Sequence, residues 1–146
     1  MQKGIGEPIF DKLSACLAKN IFSLPSVCSF ELGDGIERTK RMGSEDMDIW
    51  NEDFTTKTNH TGGINAGISN GMDVIFHVGL HPIYTIEKPM KMIDSCGKII
   101  EKKIGGRHDK CQVFRSCVVV EAITAITIMD MILINKDNNK EKIKDE

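Results

Sequence analysis

Residues 117–134 read CVVVEAITAITIMDMILI, a run of mostly apolar side chains on whose conformation the fold class turns. Its β-branched content suits a strand and its length suits a helix. The polar positions decide between the two. Glu121, Thr124, Thr127 and Asp130 recur every third residue, which makes one slowly drifting stripe on a helix but would fall on both faces of a strand. The spacing predicts a buried helix over 117–134 and, with the strands described next, an α+β fold in which helices pack against antiparallel sheet. Membrane insertion is the rival reading of such a run. Two acidic residues inside it make insertion costly, and no flanking charge asymmetry gives an orientation.

Immediately upstream, Gly105-Gly106-Arg107-His108-Asp109-Lys110-Cys111 concentrates chemistry. Two glycines allow a tight turn, and three side chains then supply a guanidinium fork, an imidazole that titrates near neutral pH and a carboxylate. The same residues could equally form a turn closed by a solvated salt bridge. Lys98 to Ile104 alternates weakly and reads as an exposed edge strand, preceded by an irregular piece between Pro82 and Pro89. Val74, Phe76, Val78 and Leu80 alternate with Ile75, His77, Gly79 and His81, a strand with one apolar face and two histidines on the other. Zinc uses such pairs, but no third and fourth ligands stand at a recognisable spacing, so no metal site is expected.

Further outward, residues 61–71 hold four glycines, enough to bring backbone amides close to a ligand. The run matches neither the P-loop nor the dinucleotide fingerprint, because no lysine-serine pair and no helix follow it. Ile36 to His60 is charged, lacks periodicity, contains Trp50 and is expected to be a long loop, with room for a short strand. Val27 to Leu32 reads as a strand with Cys28, Phe30 and Leu32 on one side, ending in the Gly33-Asp34-Gly35 turn. Gly4-Ile5-Gly6-Glu7-Pro8 is expected to open a helix whose stripe is Phe10, Leu13, Leu17 and Ile21, stopped by Pro25. Residues 135–146, almost all Lys, Asp, Asn and Glu, are expected to be a disordered charged tail.

The 146 residues suit one domain with a core of its own. Nineteen basic against twenty-one acidic side chains give a net charge of -2 and a pI of about 6.1, so no global basic field invites nucleic acid or an anionic membrane. Five cysteines without a C-x-x-C pair, and no apolar segment at the start of the sequence, point to a reducing cytoplasm. The Asn59-His60-Thr61 sequon is then accidental.

Read together, these motifs resemble the C-terminal half of the chorismate synthase family over residues 3–134. Gly4 to Leu13 is similar to that family's helix opening, Phe30 to Gly35 to its strand and turn, and Gly43-Ser44-Glu45 to a short element after it. Residues 58–64 and Gly67-Ile68-Ser69-Asn70-Gly71 resemble its glycine-rich loop. Gly106-Arg107-His108-Asp109 with Cys111, then Arg115 and Val119-Val120-Glu121-Ala122, resembles its final motif. The resemblance implies helices sandwiched between antiparallel sheets and a homo-oligomer, tetrameric in the family. It also implies conversion of 5-enolpyruvylshikimate 3-phosphate to chorismate and phosphate, with reduced FMN although the reaction is redox-neutral overall. On this basis Arg107 is a substrate and flavin anchor, and Asp109 a proton exchanger near the flavin. Flavin contacts carry over to Pro25, Ser26, Ala66, His81, Pro82, Ile83, Tyr84, Thr85 and Arg107.

The departures are specific. His81 stands where the family has lysine, Ala66 where it has glycine and Lys110 where it has proline, so an anion donor becomes partly charged, a methyl enters the glycine loop and a rigid φ is lost. Phe114, Ser116, Cys117 and Val118 replace a proline-bearing run, which frees the helix to begin earlier. The family's preceding stretch, with two proton-transferring histidines and further phosphate-binding arginines, has no counterpart here. The chain is therefore expected to be a fragment, a split-gene product or a decayed copy, with weak or no turnover alone and a missing N-terminal segment as its partner. The alternative is a non-catalytic module, derived from the same family, that binds flavin or another anion or serves interaction alone.

Overall fold

A computed structural model describes the backbone of residues 1–144 and the side chains of residues 1–136. Leu13, Leu17 and Ile21 recur every four residues, so a helix stacks them along one side, and α1 (Leu13–Ile21) buries all three completely. The helix does not open at Gly4–Pro8 as expected. Gly4, Gly6 and Phe10 have φ of +80°, +112° and +57°, outside any helix, and Phe10 is 84% exposed rather than part of the stripe. Tertiary bonding explains the difference. Gly4 N donates to Ser69 O at 2.9 Å, Leu13 N to Gly67 O at 2.8 Å and Ile5 N to Ser69 Oγ at 2.9 Å, so these amides are committed to the glycine-rich loop. Ile5, fully buried, fills the core place expected of Phe10.

The remaining elements are β1 (Val27–Leu32), a 3-10 turn (Gly35–Lys40), α2 (Gly43–Asp46), β2 (Ile64–Asn65), β3 (Ile68–Ser69), β4 (Phe76–Leu80), β5 (Met90–Ile93), β6 (Ile99–Lys102) and α3 (Val113–Lys144). They form three two-stranded antiparallel sheets, β1–β4, β2–β3 and β5–β6. In the first, Leu32 faces Phe76 and Phe30 faces Val78, and the Phe30 and Phe76 rings stack at 5.2 Å. The register slips between Val27 and Ser29, leaving Cys28 as the extra residue. A bulge of this kind re-aims one side chain, which is why Cys28 is exposed while Phe30 and Leu32 pack on the core.

Residues 36–60 are more ordered than a plain loop. They contain the 3-10 turn, α2 with Glu45 Oε2 accepting from Met42 N–H at 3.0 Å, and a bridge between Trp50 and Thr56. At Gly62 three segments meet: its φ is +66°, and a Cβ there would lie 2.5 Å from both Gly33 N and Ile75 O.

The core joins Ile5, Leu13, Leu17, Ile64 and Met131, with Phe30, Leu32, Val74, Ile128 and Ile132 against it. α1 lies between β1 and α3, and Asn20 Nδ2 donates to Thr127 Oγ1 at 2.8 Å across the helix pair. The helix expected over 117–134 is present and begins earlier, at Val113. Its burial is not as expected: Met131 and Thr127 are buried, but Val118, Ile126, Met129 and Leu133 are 68%, 67%, 57% and 53% exposed. Periodicity reports which residues can share a face, whereas burial needs a layer to cover each face. The backbone stays helical over 135–144, where a disordered tail was expected, because each added residue of a formed helix gains a backbone hydrogen bond and Lys and Glu are good helix formers. The last two tail positions lie outside the described residues.

Candidate functional site

The Arg107–Asp109 loop joins β6 to α3. Gly106, at φ +123°, makes its turn, and His108 Nε2 approaches Gly105 O at 3.3 Å. Gln112 O receives Arg115 N–H at 3.1 Å and Ser116 N–H at 3.0 Å, so the first turn of α3 fixes where Arg115 starts. From there Arg115 Nη1 donates to Asp109 Oδ2 at 2.8 Å. The salt-bridged turn is thus present, with Arg115 rather than Arg107 as the partner of Asp109. Both side chains are well exposed, so the pair orients Asp109 more than it stabilises the fold.

Two clefts meet at Asp109. One, of about 310 Å³, is lined by Ile83, Thr85, Glu87, His108, Asp109 and Lys110 among others. The second, of about 240 Å³, is lined by Leu24, Pro25, Asp109, Gln112, Arg115 and Ser116 with Val119. His81 N donates to Ser26 O at 2.9 Å, which ties the segment after α1 to the segment after β4. The His81 and Tyr84 rings stack at 4.6 Å with 5° between planes, and Pro82 O lies 2.8 Å from His81 Nδ1. Pro25, Ser26, residues 81–85 and Asp109 are therefore gathered on one side of the molecule, although they come from three separate stretches of the sequence. Arg107 is exposed and lines neither cleft. Ala66, at φ +53°, lines a separate cavity of about 430 Å³ with Arg38, Asp46, Asp48, Trp50 and Thr61. Among the described residues no group of three or more His, Cys, Asp or Glu side chains is placed to hold a metal ion.

A charged frame supports the Ala66 cavity. Arg38 Nε and Nη2 clasp Asp46 at 3.0 and 2.6 Å, and Asp34 Oδ2 takes Arg41 Nη1 and His60 Nδ1, each at 2.6 Å. The Arg38 guanidinium holds the Asp46 carboxyl below the usual carboxylate range, and Arg41 followed by His60 does the same for Asp34. Asp48 is 6% exposed. Burial pushes its carboxyl up, but bonds from the Thr58 hydroxyl (2.7 Å), the Thr61 and His60 amides (3.0 and 2.8 Å) and the Thr61 hydroxyl (2.8 Å) outweigh burial and bring it down to about 2. Sequence reading saw only a charged loop here. The available signal was opposite charges spaced four to eight residues apart, Asp34, Arg38, Arg41 and Asp46, on either side of a helix-starting Gly-Ser-Glu. Arg115 was also missed as the partner of Asp109.

Over residues 1–133 the chain matches the sequence model of chorismate synthase. It belongs to the chorismate synthase family. The chain is 44% identical over 136 residues to the chorismate synthase of Flavobacterium psychrophilum, covering 93% of this chain and 38% of that protein. It is 43% identical over 145 residues to that of Lachnoclostridium phytofermentans, covering 97% and 40%. A crystal structure of chorismate synthase superposes with a TM-score of 0.70 at 26% identity, over 91% of this chain and 34% of that one. The chain thus spans about two fifths of the length of the curated relatives it matches. The α+β architecture is that of the chorismate synthase fold.

The chorismate synthase family implies reduced FMN, so the residues gathered here can be tested against it. Thr85 and His81 offer donors suited to an anionic group, and Pro25 and Ile83 offer apolar surface for a ring. The clefts, of about 310 and 240 Å³, stand at and just below the lower end of the roughly 300–1,000 Å³ that ligand sites span. The residues fit the cofactor as one wall of a site.

Proposed function

We propose that this chain supplies the proton-exchanging wall of a chorismate synthase site, acting in aromatic biosynthesis as a carbon-oxygen lyase on 5-enolpyruvylshikimate 3-phosphate. The observation that carries this reading is the convergence of Pro25, Ser26, residues 81–85 and Asp109 around two clefts that share one carboxylate. Forming chorismate breaks one C–H bond and one C–O bond to phosphate and makes a carbon–carbon double bond. The protein must therefore take up a proton and hold an anion as it leaves. Asp109, with Oδ2 held by Arg115, is left with Oδ1 as its proton-exchanging oxygen. Arg107, exposed on the same loop, anchors a phosphate or carboxylate bidentately, and His81 to Thr85 hold the cofactor with Pro25 and Ser26. Reduced FMN, when bound, supplies reducing chemistry that the substrate borrows and returns. The site works in the cytoplasm, within a homo-oligomer, and is completed by polypeptide corresponding to the rest of the relatives' length.

An anaerobic assay with reduced FMN tests this reading, using the chain alone and the chain co-expressed with the part of the Flavobacterium psychrophilum enzyme outside the matched span. Turnover is expected only from the pair, and Asp109→Asn in the pair should lower kcat by about 10²- to 10⁴-fold. Full activity of the asparagine variant would overturn the role of Asp109, and turnover by the chain alone would overturn its dependence on a second segment. A second reading, a non-catalytic flavin- or anion-binding module, is favoured by His81 and Lys110 at positions of family lysine and proline. Saturable quenching of flavin fluorescence without turnover by the pair would establish it.

A further inference from the structure

Lys110 is the only lysine or arginine on the wall of the 310 Å³ cleft beside Asp109. Its side chain is exposed, and it joins none of the ion pairs among the described residues. Two carboxylates, Glu87 and Asp109, share that wall. Asp109 is answered at 2.8 Å by Arg115, whose side chain lines the neighbouring cleft instead. With Arg115 and Lys110 the two acids are balanced, and without Lys110 one acid is left over. Two neutral donors stand on the same wall. Thr85 Oγ1 and the Gly106 amide donate to no protein acceptor among the described residues. An ammonium, a hydroxyl and a glycine amide together are donors of the kind an oxyanion takes. Ile83 and Ile86, on the same wall, offer apolar surface beside them. Position 110 is one of the chain's departures from its family, so this cation is the chain's own.

We propose that Lys110 is an anion-binding residue of this cleft, where its ammonium holds the phosphate of a phosphate monoester whose body lies on Ile83 and Ile86. The inference rests on the functional reading above, in which cofactor and substrate are both phosphate monoesters. A phosphate suits the wall better than a carboxylate, because it brings three terminal oxygens to three donors in different places. Lysine suits it as a compact point charge with three N–H groups on a flexible stem. Glu87 sets the need for that charge. An approaching phosphate would otherwise meet an unbalanced carboxylate and be repelled.

The test titrates the full chain, alone and co-expressed with the complementary part of the Flavobacterium psychrophilum enzyme, with two ligand couples. One couple is FMN against riboflavin, and the other is 5-enolpyruvylshikimate 3-phosphate against its dephosphorylated form, followed by flavin fluorescence and calorimetry. Lys110→Gln should weaken the phosphorylated member of one couple about tenfold and leave the other member unchanged. The couple that responds identifies the source of the phosphate. Lys110→Arg keeps a cation and should lose far less, and Lys98→Gln, an exposed charge on neither cleft, should lose nothing. The affinity of the native chain should also fall more steeply with salt than that of Lys110→Gln. Far-UV circular dichroism checks that each variant keeps its fold. Affinities indifferent to Lys110→Gln overturn the inference, as do equal losses for both members of a couple or no binding of any of the four compounds. Binding that depends on Lys110 without turnover by the co-expressed pair leaves Lys110 in its role and defeats the functional reading instead.

Discussion

Asp48 shows how one side chain can hold a loop that composition alone reads as unstructured. Four donors from Thr58, His60 and Thr61 converge on its two oxygens, and they keep its carboxyl at about 2, below the ordinary 3.8. A folded value below the unfolded one adds stability that is fully present above the unfolded value and is lost as pH falls through the folded value. The window is therefore about pH 4 down to about 2, and a shift of nearly two units corresponds to about 2 kcal/mol. Asp48→Asn should lose about 2–3 kcal/mol at pH 7, because the amide turns an NH2 toward N–H and O–H donors. Urea unfolding of both proteins at pH 7 and pH 2.5 measures it: the gap should narrow in acid, and parallel pH profiles would contradict the assignment. Aspartate spacing in the sequence gave no hint of this convergence, since its donors lie ten to thirteen residues away and are mostly backbone amides and hydroxyls.

Elements differ in how much the rest of the molecule supports them. The segment at Gly62 is braced on two sides, with Gly33 N bonded to Ile75 O at 2.8 Å and Ile75 N to Gly62 O at 3.2 Å. Gly62→Ala places a methyl against both backbones at a left-handed φ, so a loss of about 3 kcal/mol is expected in thermal unfolding. The β5–β6 hairpin is the opposite case. Ile93 pairs with Ile99 and both are 73% exposed, and no core residue packs against them. Because an isolated two-stranded hairpin is marginal in water, amides of residues 90–102 should exchange with solvent far faster than those of β1 and β4. Comparable protection would mean that the hairpin has a partner. β1 was legible from alternation because period two is a local property, whereas its bulge at Cys28 was not, since the slip depends on how β4 aligns with it.

At the scale of the whole molecule, the buried hydrophobic side chains among the described residues are few and sit around α1, while apolar side chains of α3 between Val118 and Leu133 meet solvent. Contiguous exposed apolar surface of this kind is uncommon on a folded domain. The free chain should bind the apolar dye ANS strongly, and Ile126→Glu with Leu133→Lys should reduce that signal without loss of helix. An unchanged signal would place the exposed apolar surface elsewhere. The gathered wall at Asp109 belongs to the same scale, since its pieces come from the end of α1, the segment after β4 and the start of α3.

The sequence by itself determined what is periodic or carried by ordered motifs. That includes the helix through 117–134, the strand at 27–32, a strand within 74–81, the α+β class and the family. Tertiary structure alone decided three further things. Phe10 left the stripe because amides near it bond to the glycine loop; Arg115 became the partner of Asp109 because the first turn of α3 aims it there; and α3 was left half covered. Each depends on distant backbone groups or on a packing layer, and the pattern along a chain states which faces are apolar without stating what covers them.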